Sequence, residues 1–271
     1  MGEDQHNRMA AAMVDARIVR HREFQAGYRE LVLDAPAVAV HVRPGQFIHL
    51  RVPRLEHCVL RRPFSVFDAQ GGAIAILYKQ VGAGTQALAL VNEGETVSIL
   101  GPLGNAFPSP SAGARPVLVA GGYGVAPLSF FASRSPAAGT VFIGAATEHD
   151  ILCYGELAAE GWDVRVTTDD GSAGLKGWVT VALDAWLAER RAADPPPEFF
   201  ACGPDGMLRA VGQRAVVGGW TAWLSLDKHM GCGMGACLAC VQRLRRPDGA
   251  EYWGRVCRDG PIFEARQVVW P

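Results

Sequence analysis

The sequence predicts a multi-domain β + α/β chain: an antiparallel β-barrel, then a parallel sheet layered between helices, then a small C-terminal domain held by cysteines. Three observations predict it. Short β-rich runs separated by Gly, Pro and Asp fill residues 15–107. From residue 116 onward strand-like and helical runs alternate. Four of the seven cysteines fall in the last 40 residues, where apolar residues are too few to make a core. The length of 271 residues, 49% of them hydrophobic, suits about two ordinary domains with filled interiors.

Residues 1–14 lack the apolar stretch of an export signal and the Ser or Thr that would support myristoylation of Gly2, so they are expected to form a flexible tail. The barrel strands are "DARIVRHREF", "YRELVLDA", "QFIHLRVP", "PFSVFDA", "AIAILYKQV" and "ETVSIL", with "GTQALALV" the one helical run among them. "NAFPSPSAGARP" breaks the pattern, and residues 108–115 are expected to be a linker. In residues 116–226, "PVLVA", "TVFIGAAT", "DVRVTTDD", "EFFACG" and "TAWLSL" alternate with helical "PLSFFASR", "ILCYGELAAE", "VALDAWLAERRAA" and "DGMLRAVGQRAVV". Such alternation places ligands beyond the carboxyl ends of parallel strands. Residues 227–271 form the cysteine-rich end.

The net charge of −1 argues against a nucleic-acid partner, and no apolar run approaches the ~20 residues of a membrane span. Clustered cysteines without an export signal read as metal ligands in a reducing cytoplasm sooner than as disulfides.

"HMGCGMGACLAC" spaces Cys232, Cys237 and Cys240 as C-x4-C-x2-C, and Cys257 follows in "VCRDGPIF". That order matches the plant-type arrangement in which four thiolates hold two irons and two sulfides. Gly231, Gly233 and Gly235 let the loop wrap tightly and turn its N–H groups toward a negatively charged 2Fe–2S cluster. A structural zinc bound by His229, Cys232, Cys237 and Cys240 is the rival, although zinc sites usually come as two close ligand pairs. His229 is expected to pack or cap. Cys58 and Cys153 are assigned to packing.

"RRPFSV" on a strand, followed by "GAGT" opening a short helix, makes a diphosphate site. Arg62 supplies charge-assisted bonds, and the N–H groups of Gly84 and Thr85 use the helix N-terminus. The bland alternative is a surface arginine and an ordinary turn; the two motifs in one barrel favour the site.

"PVLVAGGYGVAPLSFFA" is strand, glycine turn and helix, though not a strict G-x-G-x-x-G. Gly121, Gly122 and Gly124 would let a dinucleotide's phosphates approach the backbone. Cys202, Gly203 and Pro204 of "ACGPDGM" would meet that turn across the sheet, with Cys202 either beside a nicotinamide or simply packed. Glu148 and Asp150 of "AATEHD" would repel a 2′-phosphate and accept from a free 2′-OH. No Arg or Lys lies between residues 144 and 161, which leans toward NAD over NADP.

"RPFS", "LYKQVGAGT", "GPLGNAF", "GGYGVAP" and "CGPDGM" resemble, in that order, the ferredoxin–NADP reductase superfamily. With the terminal cysteine motif added, the chain resembles the electron-transfer subunits of dihydroorotate dehydrogenase. "LAC" and "GNAF" depart from commoner "YGC" and "GNGF", which leaves room for a sister family. The resemblance implies a flavin-binding barrel, a Rossmann-like NAD domain and a 2Fe–2S domain. It implies FAD contacts at Arg62, Pro63, Phe64, Ser65, Leu77, Tyr78, Lys79, Gly84 and Thr85, and cluster ligands at Cys232, Cys237, Cys240 and Cys257. It also implies a partner, an FMN-containing catalytic subunit that oxidises dihydroorotate, in a heterotetramer of two plus two. Electrons would run from FMN through the cluster and FAD to NAD. No acid–base or nucleophile pair stands out, as suits a chain whose cofactors carry the chemistry. Two alternatives stay open: a sister subunit feeding a hydrogenase or a ferredoxin-dependent NADP oxidoreductase, and a non-enzymatic redox-sensing module. The apolar run around Met230, Met234 and Leu238 is expected either to stand open as a docking surface or to fold inward as a lid over the cluster.

Overall fold

The computed structural model describes residues 11–25, 27–55 and 59–271. Six strands close the barrel: β1 (Ala12–Gln25), β2 (Tyr28–Asp34), β3 (Phe47–Leu50), β4 (Arg62–Gln70), β5 (Ala73–Lys79) and β6 (Thr96–Leu103), in the order β1-β2-β5-β4-β3-β6. Every pairing is antiparallel. Two short helices, α1 (Pro36–Ala39) and α2 (Ala83–Leu88), fill the connections. β1 starts at Ala12, three residues before the expected barrel start. Ile18, Leu31, Leu33, Ile48, Leu50, Val66, Ile76 and Ile99 alternate inward and pack the interior.

The α/β half runs β7 (Arg115–Gly121), α3 (Val125–Arg134), β8 (Thr140–Ala145), α4 (Tyr154–Ala159), β9 (Asp163–Thr168), β10 (Leu175–Lys176), α5 (Val179–Glu189), β11 (Pro197–Cys202), α6 (Asp205–Val217) and β12 (Thr221–Ser225). These strands pair in parallel. Consecutive residues of β7 serve opposite faces, as the pleat demands. Val117 and Val119 pack with Leu183 and Trp186 of α5 and Leu208 of α6. Leu118 and Ala120 pack with Leu128 and Phe131 of α3 and Leu157 of α4. α4 begins at Tyr154, later than the "ILCYGELAAE" run suggests.

The cysteine-rich end adds a hairpin, β13 (Val241–Arg245) with β14 (Glu251–Arg255), one turn α7 (Val256–Asp259), and β15 (Ile262–Glu264). β15 pairs antiparallel with β12, so the α/β sheet has seven strands in the order β10-β9-β8-β7-β11-β12-β15. The C-terminal segment is therefore woven into the sheet as well as held by cysteines. Asn105 fixes this return: its amide donates to the Ile262 carbonyl at 2.8 Å and accepts from the Ile262 N–H at 2.9 Å. Gly104, at φ +74°, lies where a Cβ would strike Pro261. Cys240, Val256, Cys257 and Phe263 share one core with Phe47 and Leu103 of the barrel and Val117, Phe199 and Leu224 of the sheet. No helix among the described residues is long and apolar enough to cross a membrane.

Candidate functional site

The cysteine loop folds as its glycines require. Gly233 and Gly235 take φ of +69° and +86°, which side-chain-bearing residues rarely adopt. The loop so bent directs the N–H groups of Met234, Ala236 and Cys237 at Cys232 Sγ, at 3.4, 3.3 and 3.4 Å. Burial opposes ionisation of Cys232, but these donors and the Cys237 thiol together bring it down to about 6.

The Cys257 N–H donates to Cys240 Sγ at 3.4 Å. Burial first, then hydrogen bonding and charge repulsion from Cys240 and Cys232, push the Cys257 thiol up to about 12. Thiols crowded in this way resist ionisation until a cation replaces their protons.

The four thus come together two and two, Cys232 with Cys237 and Cys240 with Cys257. A two-iron cluster needs that disposition, since each iron takes two protein sulfurs. Among the described residues, no three His, Cys, Asp or Glu side chains converge as ligands of a single ion would. His229, part of the zinc alternative, is exposed and so does not pack, one of its two expected roles. The donor set fits a 2Fe–2S cluster.

At the loop's mouth, Met234 and Leu238 are 53% and 59% exposed, and Leu238 holds a left-handed φ of +58°. Met230 instead packs inward against the shared core. The sequence reading missed Trp253. It stands 67% exposed beside a groove that Leu238, Tyr252 and Arg255 also line. Neither its exposure nor its place on a five-residue hairpin strand could be read from the sequence.

In the barrel, strand register separates two adjacent arginines. Arg61 donates to the Ser98 carbonyl and hydroxyl at 2.7 and 3.0 Å, as a strut to β6. Arg62 lies over the α2 turn, where a Cβ on Gly84 would sit 3.3 Å from its Nε. Arg62 and Gly84 therefore come together.

Thr85 is less free than its motif suggests. Its Oγ1 accepts from Val81 and Gly82 N–H and donates to the Gly82 carbonyl, closing the six-residue helix. Pro63 and Ser65 oppose His49 and Phe47 across the ladder, so these four share a face of the sheet. Phe64 meets Tyr78 edge-to-face at 5.9 Å. The Tyr78 ring is buried and its hydroxyl lies 2.9 Å from His21 Nε2; burial pushes this phenol up to about 12. Leu77 packs against the α/β half. The side chains of Leu77 and Tyr78 are thus packing groups, and their main chain pairs along one edge with Glu30 and Arg29 of β2, while the β4 register ends at Ile76.

Lys79 reaches the other half of the molecule. Its Nζ lies 2.6 Å from Asp150 Oδ1 and 4.8 Å from the centre of the Tyr28 ring, and the Tyr28 hydroxyl donates to the same carboxylate oxygen at 3.3 Å. Asp150 is therefore committed to a tie between the halves. Of the two expected ribose acceptors, Glu148 is the more exposed and has the freer carboxylate.

The glycine turns at the ends of β7 and β11 face each other. A Cβ on Gly124 would collide with the Cys202 carbonyl, and one on Gly121 would stand 2.8 Å from Pro204 and 3.5 Å from Gly203. Both glycines serve close packing of the two turns. Gly122 has nothing within 4 Å of its Cβ position and is open to a ligand. Cys202 is partly buried, and desolvation pushes its thiol up to about 12, so it stays protonated beside Ser225. Tyr123, exposed at this turn, was not singled out from the sequence. Cys153 is buried, and Cys58 lies outside the described residues.

Residues 227–269 match the model of the iron–sulfur cluster binding domain of dihydroorotate dehydrogenase B. The electron transfer subunit of dihydroorotate dehydrogenase B (NAD(+)) from Bacillus caldolyticus is 40% identical over 247 residues, 89% of this chain and 92% of that protein. Its counterpart from Bacillus cereus (strain Q1) is 37% identical over 93% of this chain and 96% of that one. Among solved structures, the NADH-dependent reduced ferredoxin-NADP oxidoreductase superimposes with a TM-score of 0.81 at 30% identity, over 95% of this chain and 90% of that chain. A ferredoxin reductase of carbazole 1,9a-dioxygenase, at 20% identity and a TM-score of 0.66 over 79% and 68% of the two chains, shares the fold. With its barrel, parallel sheet and paired cysteines matched along nearly its whole length, the chain belongs to the family of dihydroorotate dehydrogenase B electron transfer subunits.

Proposed function

We propose that this chain carries electrons between NAD and a separate FMN subunit that oxidises dihydroorotate, in the cytoplasm and as a heterotetramer of two plus two. The observation that carries the reading is the pairing of four thiols two and two, Cys232 and Cys237 toward the surface and Cys240 and Cys257 buried in the core shared with the barrel. When bound, FAD exchanges two electrons with nicotinamide as hydride and single electrons with a 2Fe–2S cluster.

The chain's own residues position and insulate. Cys232, Cys237, Cys240 and Cys257 hold the cluster, and the loop N–H groups stabilise its negative charge. Arg62 neutralises the FAD diphosphate over the Gly84 turn, with Pro63, Phe64 and Ser65 along the same strand. Leu77, Tyr78 and Lys79 present main chain from β5, and Thr85 holds the turn in shape. Gly122 admits the NAD phosphates, while Gly121, Gly124, Gly203 and Pro204 build the cleft floor and Cys202 lines it as a neutral thiol. Glu148 accepts from the ribose 2′-OH and repels a 2′-phosphate, which selects NAD. Met234, Leu238 and Trp253 form the apolar docking face, rich in the Met and Trp that interface centres favour.

The likeness to the NADH-dependent reduced ferredoxin-NADP oxidoreductase supports a second reading, in which the same layout feeds a different partner. Capture of the tagged chain from its native host, with mass spectrometry, separates them. The first reading expects the dihydroorotate-oxidising subunit in equal amount, and Met234→Glu to abolish that capture while flavin, iron and NADH-dependent flavin reduction persist. Capture of a ferredoxin-NADP oxidoreductase or hydrogenase subunit instead would overturn it.

A further inference from the structure

We infer that His49 donates a ring N–H to a sulfur of the cluster and thereby raises the cluster's reduction potential. This rests on the reading that the four cysteines hold a 2Fe–2S cluster. His49 lies on β3, opposite Pro63 and Leu100. Its neighbours Ile48 and Leu50 point into the barrel, whereas Phe47 joins the core that contains Cys240 and Cys257. His49 shares the Phe47 side of the strand, and the two rings meet edge-to-face at 6.2 Å.

The imidazole is 0% exposed, and neither Nδ1 nor Nε2 has a hydrogen-bond partner among the described residues. Burial first, then the positive charges of Arg61 and Arg62, hold it down to about 4, so it is neutral and offers one donor and one acceptor. A buried polar group without a partner is costly, and native proteins keep few of them.

The ring's neighbour points to the missing acceptor. A Cβ on Gly233 would stand 2.9 Å from Nδ1 and 3.1 Å from both Cε1 and Cγ, so the ring lies against the backbone of the residue after Cys232. The sulfurs that this loop encloses are acceptors of the kind the ring lacks. Hydrogen bonds to cluster sulfurs stabilise the reduced, more negative state and raise its potential.

The test is a potentiometric titration of the intact flavin- and cluster-loaded chain, followed by electron paramagnetic resonance. His49→Phe keeps the ring and removes the N–H. At the wild-type midpoint its reduced-to-oxidised ratio should fall about tenfold, a shift of about 59 mV to more negative potential for one electron. The FAD midpoint should stay in place. His49→Gln or His49→Asn, which restores a donor at Nε2 or Nδ1 reach, should recover most of the loss. An unshifted His49→Phe cluster, or a shift in FAD alone, overturns the inference.

Should His49→Phe fail to retain the cluster, pulsed resonance on reduced wild-type protein labelled with 15N-histidine decides. A weak nitrogen coupling that His49→Gln abolishes supports the contact, and its absence refutes it. A wild-type chain with no reduced-cluster signal would instead overturn the cluster reading itself.

Discussion

Arg61 and Arg62 stand side by side with the same chemistry and different work. Arg61 braces β6 through Ser98, and Arg62 hangs over the Gly84 turn. A charge-assisted bond contributes roughly 1.5–3 kcal/mol, so Arg62→Ala should weaken FAD binding by about one to two orders of magnitude in a fluorescence titration. Unchanged affinity would remove the diphosphate from this turn. Three of the expected ligands, Cys232, Cys237 and Cys240, were legible in the sequence because their spacing lies within one loop, whereas Cys257 lies on α7 beyond the β13–β14 hairpin and meets Cys240 only through the fold. The fate of Asp150 was not legible. Whether it meets a ribose or Lys79 depends on how two separately folded halves pack. The same limit hid His49, whose interest lies in its contact with Gly233, almost two hundred residues onward in sequence.

At the scale of elements, long runs with clear period were legible: the six barrel strands, the strands β7, β8, β9, β11 and β12, and the helix α6 over its full length. Those missed, β10, β13, β14 and β15, have only two to five residues, and tertiary partners decide whether such segments pair at all.

The tie between β5 and the turn after β8 carries a prediction of its own. The lysine bond holds the Asp150 carboxyl below its ordinary value, and the same bond holds Lys79 above its own. A lowered carboxyl stabilises fully above its ordinary value and loses this as pH falls through the lowered one. A raised lysine stabilises fully below its ordinary value and loses this as pH rises through the raised one. The contribution is therefore flat from about pH 5 to about pH 9. Both groups are partly exposed, so solvent screening leaves about 0.5–1 kcal/mol. Denaturant titrations of wild type and Asp150→Asn should differ by that amount, uniformly across the plateau. A difference that varied between pH 6 and pH 8 would assign the effect to another group.

At the scale of the whole molecule, barrel, sheet and cysteine loop share a continuous core. β15 returns to the sheet, Asn105 ties it to the exit of the barrel, and the ligand loop between them lies against β3. This arrangement sets the cysteine loop against β3, the strand that pairs with Arg62–Ser65 of β4, and leaves Met234, Leu238 and Trp253 exposed. The order of the domains could be read from the sequence, but their interlocking could not, since it depends on a three-residue strand and one asparagine.

In the proposed complex, electrons cross between the partner and the flavin only through the cluster. Removing one ligand tests it in the reconstituted complex. Cys237→Ser should leave NADH-dependent bleaching of the flavin intact while dihydroorotate no longer reduces NAD. A Cys237→Ser complex that still couples dihydroorotate oxidation to NAD reduction at the wild-type rate would show that electrons bypass the cluster.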